Sequence, residues 1–299
     1  MKKNVLITGA NGQLAQQLGN LLAPDYNVRY LTRNVSKSNE YLWDVDKGFI
    51  DAEALKSLHV VIHVAGSSIG EKRWTAKQKA AIYASRVNGA QLLLGELQKQ
   101  NVQLETYISA SAIGYYGTVT SAHIHTESDE PGDDFLSEVC ATWEAVAHEF
   151  ESKAVAKRVI VTRIGIILSA NKGALQKIAA PFKWYLGAAL GSGKQYMPWI
   201  HIHDLCRLIK FTLEKENMSG TFNAVAPDHV SNKQFTQQVA AALNKPVLLP
   251  NIPAFVIKIA FGEMSIILLQ GSRVASDKII DEGFKFEYDK LNKALKSLL

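Results

Sequence analysis

The residues of this chain with the plainest chemical meaning are Gly9 and Gly12, in the stretch "NVLITGANGQLAQQLGNLL" at residues 4 to 22. They stand between a β-branched apolar run and a helical spacing of leucines. There a backbone without Cβ atoms lets a pyrophosphate approach the amides of a helix N-terminus. Asn11, Gln13 and Leu14 complete the turn, and Ala15 takes the third small position, which still permits close packing of helix on strand. The end of the next strand discriminates among dinucleotides: a carboxylate holds a free ribose 2′-hydroxyl, an arginine a 2′-phosphate. Here that strand ends in Thr32 and Arg33, with no carboxylate before Glu40. A planar, permanently charged guanidinium suits a phosphate, so NADP(H) is the expected cofactor. Asp44, beside Trp43 after a short third strand, is placed either to meet the adenine amino group or to serve as a turn carboxylate.

A second constellation is His201 and His203 in "WIHIHDL". On a strand they would share one face, which permits metal binding. No third ligand is spaced to join them apart from the adjacent Asp204, so no metal is expected. Asp204 reads instead as the cap of the following helix and His201 as a brace between lobes. Cys140 and Cys206 lie in no metal or redox spacing and read as small buried hydrophobes in a reducing compartment.

These groups need a frame, and the first half of the chain supplies one. Apolar runs at 4–8, 27–32, 41–44, 60–66, 106–111 and 158–168 read as strands buried on both faces, as in a parallel sheet. Between them lie helical patterns. One starts at a capping box of Thr75 and Gln78 and runs to about residue 100, and another covers 134–151. The expected fold is α/β, a doubly wound parallel Rossmann sheet over residues 1–170, with 200–226 returning to it. Residues 171–199 and 227–299 are expected to form a smaller substrate-side lobe, its tail having short helices but no further parallel strand.

Bulk properties narrow the partners. The 47% hydrophobic and 20% charged content is that of a globular protein rather than a disordered one. A net charge of +5, with Lys and Arg scattered along the chain, gives no nucleic-acid surface. No run approaches the ~18 consecutive apolar residues of a membrane span, and the N-terminal run is too short and too interrupted for a signal peptide. A cytoplasmic monomer or homodimer with a small-molecule substrate is expected.

Several longer phrases point to one family: "TGANGQLA", "HVAGSSIGEKRWTAKQKAAIYASRV", "ISASAIGYYG", "FLSEVCATWEAVA", "RIGIILSANKGALQKIAAPFKWYLGAALGSGKQYMPWIHIHDL" and "AFGEMSIILLQGSRV". Together they resemble the atypical extended short-chain dehydrogenase/reductases, the epimerase-family proteins, some of which carry an older label of cell-division inhibitor. The resemblance spans nearly the whole chain, including the C-terminal segment peculiar to that group. It implies that Val64, Ala65 and Gly66 face the adenine ribose and phosphates. It implies too that Arg163, Gly165 and Ile167 meet the nicotinamide end. Arg86 falls on a position that contacts NADP in relatives, although spacing alone reads it as a helix-surface arginine in an ion pair.

In the wider superfamily a Ser after the fifth strand orients the substrate oxygen. A Tyr-x-x-x-Lys pair on the next helix supplies the general acid/base and lowers its pKa. Here "SAS" offers Ser109, toward the cofactor, and Ser111, the better match to the catalytic serine. The pair itself is missing: the corresponding positions hold Leu136 and Cys140, and no Tyr occurs on that helix. Tyr115, with Tyr116 beside it, is the substitute proton donor, and it would need a cation near it, with Lys72, Arg73 and Lys194 as candidates. Glu138, the other titratable group considered, faces water. Two functions follow. One is an NADP(H)-dependent oxidoreductase or epimerase acting on a small carbonyl or sugar-nucleotide-like substrate. The other is an NADP-binding regulatory or sensor protein without turnover, which an intact phosphate turn and an absent proton donor would equally suit.

Overall fold

An eight-stranded sheet forms the centre of the computed structural model, which describes residues 2–299. The strands along the first half of the chain are β1 (Asn4–Thr8), β2 (Asn27–Thr32), β3 (Glu40–Asp44), β4 (Phe49–Ile50), β5 (Val60–His63) and β6 (Thr106–Ala112). The second half adds β7 (Ile124–His125), β8 (Val159–Ile164), β9 (Ile166–Leu168), β10 (Trp199–His201), β11 (Gly220–Ala224) and β12 (Arg273–Val274). The order in the main sheet is β11-β8-β6-β5-β1-β2-β3-β4, all parallel except the edge pairing of β4 with β3. The chain winds outward from β1 through β2 and β3, then returns to the other side of β1 for β5, β6, β8 and β11. That reversal opens a crevice between the carboxyl ends of β1 and β5, the place where α/β sheets bind ligands.

Both faces of the sheet are covered, which is why its strands read as unbroken apolar runs. Val5 and Ile7 of β1 pack against Leu18 and Leu22 of helix α1 (Gln13–Leu22), and the same core holds Leu205 and Leu208. Leu6, Val61 and Tyr107 point the opposite way, toward a core containing Leu93, Leu97, Ala147 and Phe150. The phenol ring of Tyr107 stacks on Phe150 with centroids 3.6 Å apart.

Three elements differ from the sequence expectation. The long helix from Thr75 is two helices, α2 (Ala76–Ala84) and α3 (Val87–Lys99), broken at Ser85 and Arg86. Thr75 does accept from Gln78 N, although it caps without the reciprocal bond. The strand expected over 158–168 divides at Gly165 into β8, in the main sheet, and β9, which pairs with β10. A Cβ at Gly165 would stand 2.8 Å from Pro198 O, so only glycine lets the strand change sheets here. The tail does contain a further parallel strand, β12, pairing with β7.

Beyond β9 a second core gathers Leu168, Leu175, Phe182, Trp199, Phe235, Val239, Leu291 and Leu295. The tail is shared, since Ile279 and Phe284 sit in the core of the main sheet. Asp204, in the first turn of the helix α6 (Ile202–Glu214), does not cap it. His201 does, accepting from His203 N, while the wholly buried Asp204 accepts from the amides of Glu287 and Tyr288 at 3.0 and 2.7 Å. His201 stacks on Tyr288 at 3.8 Å, the brace expected of it. His203 lies in the helix, so the two histidines do not share a strand face. Among the described residues no helix is long and apolar enough to cross a membrane.

Candidate active site

Gly9 leaves β1 with φ +80°, and a Cβ there would lie 3.2 Å from Ala65 Cα. The turn is therefore seated directly on the end of β5. Gly12 is the N-cap of α1, and no side chain caps the helix, so the first amides of Gln13 and Leu14 face outward without protein acceptors. Thr8 ties the two strand ends together, its Oγ1 accepting from Val64 N at 3.0 Å and Ala65 N at 2.9 Å. Having accepted twice, the Thr8 hydroxyl donates to His63 Nδ1 at 3.0 Å, which puts the imidazole proton on Nε2, 3.4 Å from Arg86 O. Burial pushes His63 down to about 4, so it is a neutral strut, with Trp43 and Trp143 edge-on to it.

Arg86 stands over this platform. The break between α2 and α3 turns its guanidinium toward Gly66, where a Cβ would come within 3.1 Å of Arg86 Cζ. Its Nη1 donates to the carbonyls of Ser67 and Ile82 at 3.1 and 3.2 Å. The guanidinium lies 5.5 Å from the face of Trp143, and burial lowers its pKa. Among the described residues no carboxylate pairs with it, so the surface ion pair expected from spacing alone is not what forms. A half-buried cation without a counter-charge, next to bare helix amides, is a cradle whose chemistry fits a phosphate.

The neighbouring positions fall as follows. Arg33 is exposed at the end of β2 and makes no ion pair among the described residues. Its loop is shaped by Glu40, whose Oε2 accepts from Ser36 N, Ser36 Oγ and Lys37 N at 2.7, 2.9 and 3.2 Å. Thr32 is buried and bonded to Asn34. Asp44 holds the turn after β3, its Oδ1 accepting from Asp46 N and Lys47 N. Asn11 is exposed in the glycine turn, Leu14 packs against the core, and Gln13 accepts from Ser169 Oγ at 2.7 Å, linking α1 to the segment after β9. Ile167 is half-buried in β9. Ser109 has no exposed surface and donates to Ala110 O, so its hydroxyl is not brought to the crevice.

Beside the cradle lies a buried polar cluster. Ser111 and Arg163 are paired across β6 and β8, and both reach Glu144 on helix α4 (Phe135–Ser152). Ser111 Oγ donates to Glu144 Oε1 at 2.6 Å, and Arg163 makes a two-pronged pair with the carboxylate at 2.9 and 2.8 Å. Arg163 Nη1 also donates to Tyr116 OH at 3.0 Å, and that hydroxyl donates to Asn223 Oδ1 at 2.6 Å. Burial alone would lower the Arg163 pKa, but the bonds to Glu144 override it and hold the group charged. Tyr115 lays its ring over the guanidinium, 3.4 Å from the centroid. The cation beside Tyr115 is thus Arg163, whereas Arg73 binds the Ile259 carbonyl. Burial raises the Tyr115 phenol and pushes Tyr116 up to about 12, so both keep their protons at neutral pH.

Glu144 is the member that sequence reasoning missed, although a signal existed. It continues the stripe Leu136, Cys140, Glu144, Ala147 along the buried side of α4, where a carboxylate demands a partner. Leu136 and Cys140 are buried, and burial pushes the Cys140 thiol up to about 12. Neither position exchanges a proton near neutral pH, and Glu138 is exposed.

The chain as a whole is similar to known proteins. The model of the NAD dependent epimerase/dehydratase family matches residues 5–225, and that of a domain of unknown function, DUF1731, matches residues 252–298. The epimerase family protein YfhF of Bacillus subtilis is 34% identical over 99% of this chain and 98% of its own length. The epimerase family protein SH2119 of Staphylococcus haemolyticus is 36% identical over 99% of both chains. Among solved structures, the human epimerase family protein SDR39U1 with NADPH superposes with a TM-score of 0.87 at 28% identity, covering 99% of this chain and 98% of that one. A nucleoside-diphosphate sugar epimerase from Corynebacterium glutamicum gives a TM-score of 0.81 at 29% identity, over 100% of this chain and 58% of the other.

Proposed function

This chain belongs to the NAD-dependent epimerase/dehydratase family, and from that premise we propose that it binds NADP(H) and reduces a small carbonyl or sugar-nucleotide-like substrate. The cofactor would lie along the β1–β5 crevice. Gly9, Gly12, Gln13 and Leu14 would present backbone to the pyrophosphate, with Val64, Ala65 and Gly66 as the floor. Arg86 would supply the charge opposite the phosphates and Arg33 that opposite the 2′-phosphate; the NADPH of the human relative supports this choice. Asp44, already engaged in its turn, would serve the adenine only by its outer oxygen. Gly165 and Ile167 would border the nicotinamide end. NADPH, when bound, supplies a hydride.

The chain itself must then supply a proton to the substrate oxygen. One observation carries this step: the Tyr115 phenol, held protonated by burial, lies face-on against the Arg163 guanidinium at 3.4 Å. A phenol that keeps its proton is a competent acid, and the adjacent cation favours the phenolate formed when the proton leaves. The same state makes it a poor base, so reduction is favoured over oxidation. Ser111 commits its hydroxyl hydrogen to a bond with Glu144. Its oxygen can therefore accept a bond but cannot donate one to a substrate carbonyl, and Ser111 acts by positioning Glu144 and Arg163.

That commitment of Ser111, together with Leu136 and Cys140 on α4, favours a second reading, an NADP-binding protein without turnover. A panel of aldehydes, ketones and nucleotide sugars, monitored by NADPH oxidation, separates the two. Under the first reading Tyr115→Phe lowers kcat by about 10²- to 10⁴-fold while NADPH affinity is unchanged. Tight NADPH binding with no turnover on any substrate supports the second. Undiminished turnover in Tyr115→Phe removes Tyr115 from the chemistry.

A further inference from the structure

His123, His125 and Asp129 lie outside everything described so far. His123 and His125 sit two residues apart at β7, so their side chains leave the strand on the same side. Their ring centroids are 4.7 Å apart with the planes at 90°, a convergent rather than stacked arrangement. Both point at one atom: Asp129 Oδ2 is 2.7 Å from His123 Nε2 and 3.0 Å from His125 Nδ1. One ligand atom from each residue falls within a sphere of contact in which all lie within 4.8 Å of one another. Ligand atoms around tetrahedral zinc, at ~2.0–2.2 Å from the metal, stand roughly 3.3 Å apart. Side-chain rotations that open the 2.7 and 3.0 Å contacts to Asp129 toward that spacing would convert the hydrogen-bonded trio into a coordination set.

The backbone beneath the trio is already fixed. β7 pairs with β12, and Ala275 N donates to His125 O at 2.8 Å. Thr126 N donates to Asp129 Oδ2 at 3.2 Å, which orients the carboxylate. The His125 ring stacks on Tyr116 at 4.9 Å, while the His123 side chain is 59% exposed and leaves room for water as a fourth ligand. We propose that His123, His125 and Asp129 bind a divalent transition ion of the zinc class. Two imidazole nitrogens and one carboxylate oxygen with an open fourth position are the donors such an ion takes. On binding, the two N–H···O bonds give way to coordination, and each imidazole proton moves to its outer nitrogen.

The ion would also act on the buried cluster. Between the histidines and Asp129, the Glu127 carbonyl accepts from Arg163 Nη1 at 3.4 Å, and its carboxylate accepts from Asn223 N at 2.7 Å. Coordination at both ends of this segment fastens it over Tyr116 and Arg163. The experiment is zinc titration of the full chain, free of any histidine tag, by calorimetry and by competition with a chromophoric chelator. Hydrogen exchange is then followed with and without one equivalent of metal. Expected are one zinc per chain and slower exchange over residues 123–129 and at Asn223. His123→Ala and Asp129→Asn should each weaken uptake by more than about 100-fold, since even outer-shell partners cost roughly 10- to 100-fold. Asp129→Asn retains an acceptor for Thr126 N, and its unchanged thermal midpoint without metal verifies folding. His203→Ala should leave uptake intact. Absence of stoichiometric uptake, or uptake undiminished in His123→Ala and Asp129→Asn, overturns the site; uptake without slowed exchange overturns the fastening.

Discussion

Replacing Arg163 by leucine removes the one cation that, among the described residues, pairs with Glu144, a carboxylate buried to 5% exposure. Glu144 would keep a single partner, the Ser111 hydroxyl at 2.6 Å. Breaking one side of a buried pair costs about 3–5 kcal/mol, because the remaining charge has neither water nor partner. Glu144→Leu should cost a similar amount, as Arg163 would keep the Tyr115 ring, the Tyr116 hydroxyl and the Glu127 carbonyl but no counter-charge. The double variant Glu144→Leu/Arg163→Leu strands no charge. It should cost only about 1–3 kcal/mol, mainly the Ser111 hydroxyl left without an acceptor. The two single effects therefore exceed the double by roughly 3 kcal/mol or more. Urea unfolding followed by both far-ultraviolet circular dichroism and tryptophan fluorescence measures this, provided the transitions coincide. A single-variant cost below about 1 kcal/mol, or a double variant equal to the sum of the singles, would refute the account of Glu144 as a charge that depends on Arg163.

Arg33→Asp should turn a preference for NADPH over NADH into the reverse in a binding titration; equal affinities in the wild type remove Arg33 from the 2′-phosphate. Arg86→Met should weaken both dinucleotides by about 10- to 100-fold, the worth of a charge-assisted bond, whereas unchanged affinity would show the guanidinium to be structural. His63 and His201 are both pushed from 6.5 to about 4 by burial. Between those values the unfolded chain binds up to two more protons than the native one. Stability is full above about pH 6.5 and is lost as pH falls toward 4, by up to about 2.7 kcal/mol per pH unit. Denaturation midpoints across that range test this, with Asp204, His203 and Glu287 facing His201 and the Arg86 guanidinium near His63. A flat profile would contradict the neutral struts.

The parallel sheet and its first turn were legible because strands buried on both faces write continuous apolar runs, and because Gly9 and Gly12 interrupt one at the right place. The break at Arg86 was not legible. The pattern from Thr75 to Gln100 contains no Pro, and its only Gly residues lie beyond the break, so periodicity runs through it. Tertiary contact of the guanidinium with Gly66 decides the matter. The change of sheets at Gly165 depends on Pro198, more than thirty residues on. Ser111 stands out by resemblance, but its hydrogen bond to Glu144 could not be read from the sequence. Glu144 and its partner Arg163 come together only when β6 and β8 pair. Tyr115 and Arg163, named separately from sequence, prove to be one stacked unit.

The carboxylate of Asp204 has a consequence for the order in which the protein can be made. Its two oxygens wait for the amides of Glu287 and Tyr288, 83 and 84 residues later, and Asp228 likewise awaits the amide of Leu291. Until those residues emerge from the ribosome, an acidic group destined for complete burial has no backbone partners. The core around Trp199 and Phe235 also lacks Leu291 and Leu295. The nascent sheet must therefore persist for a time with its second core unsealed. Closure waits for residues 287–295 rather than proceeding by stepwise accretion, and a stalled chain ending near residue 285 should be a substrate for chaperones.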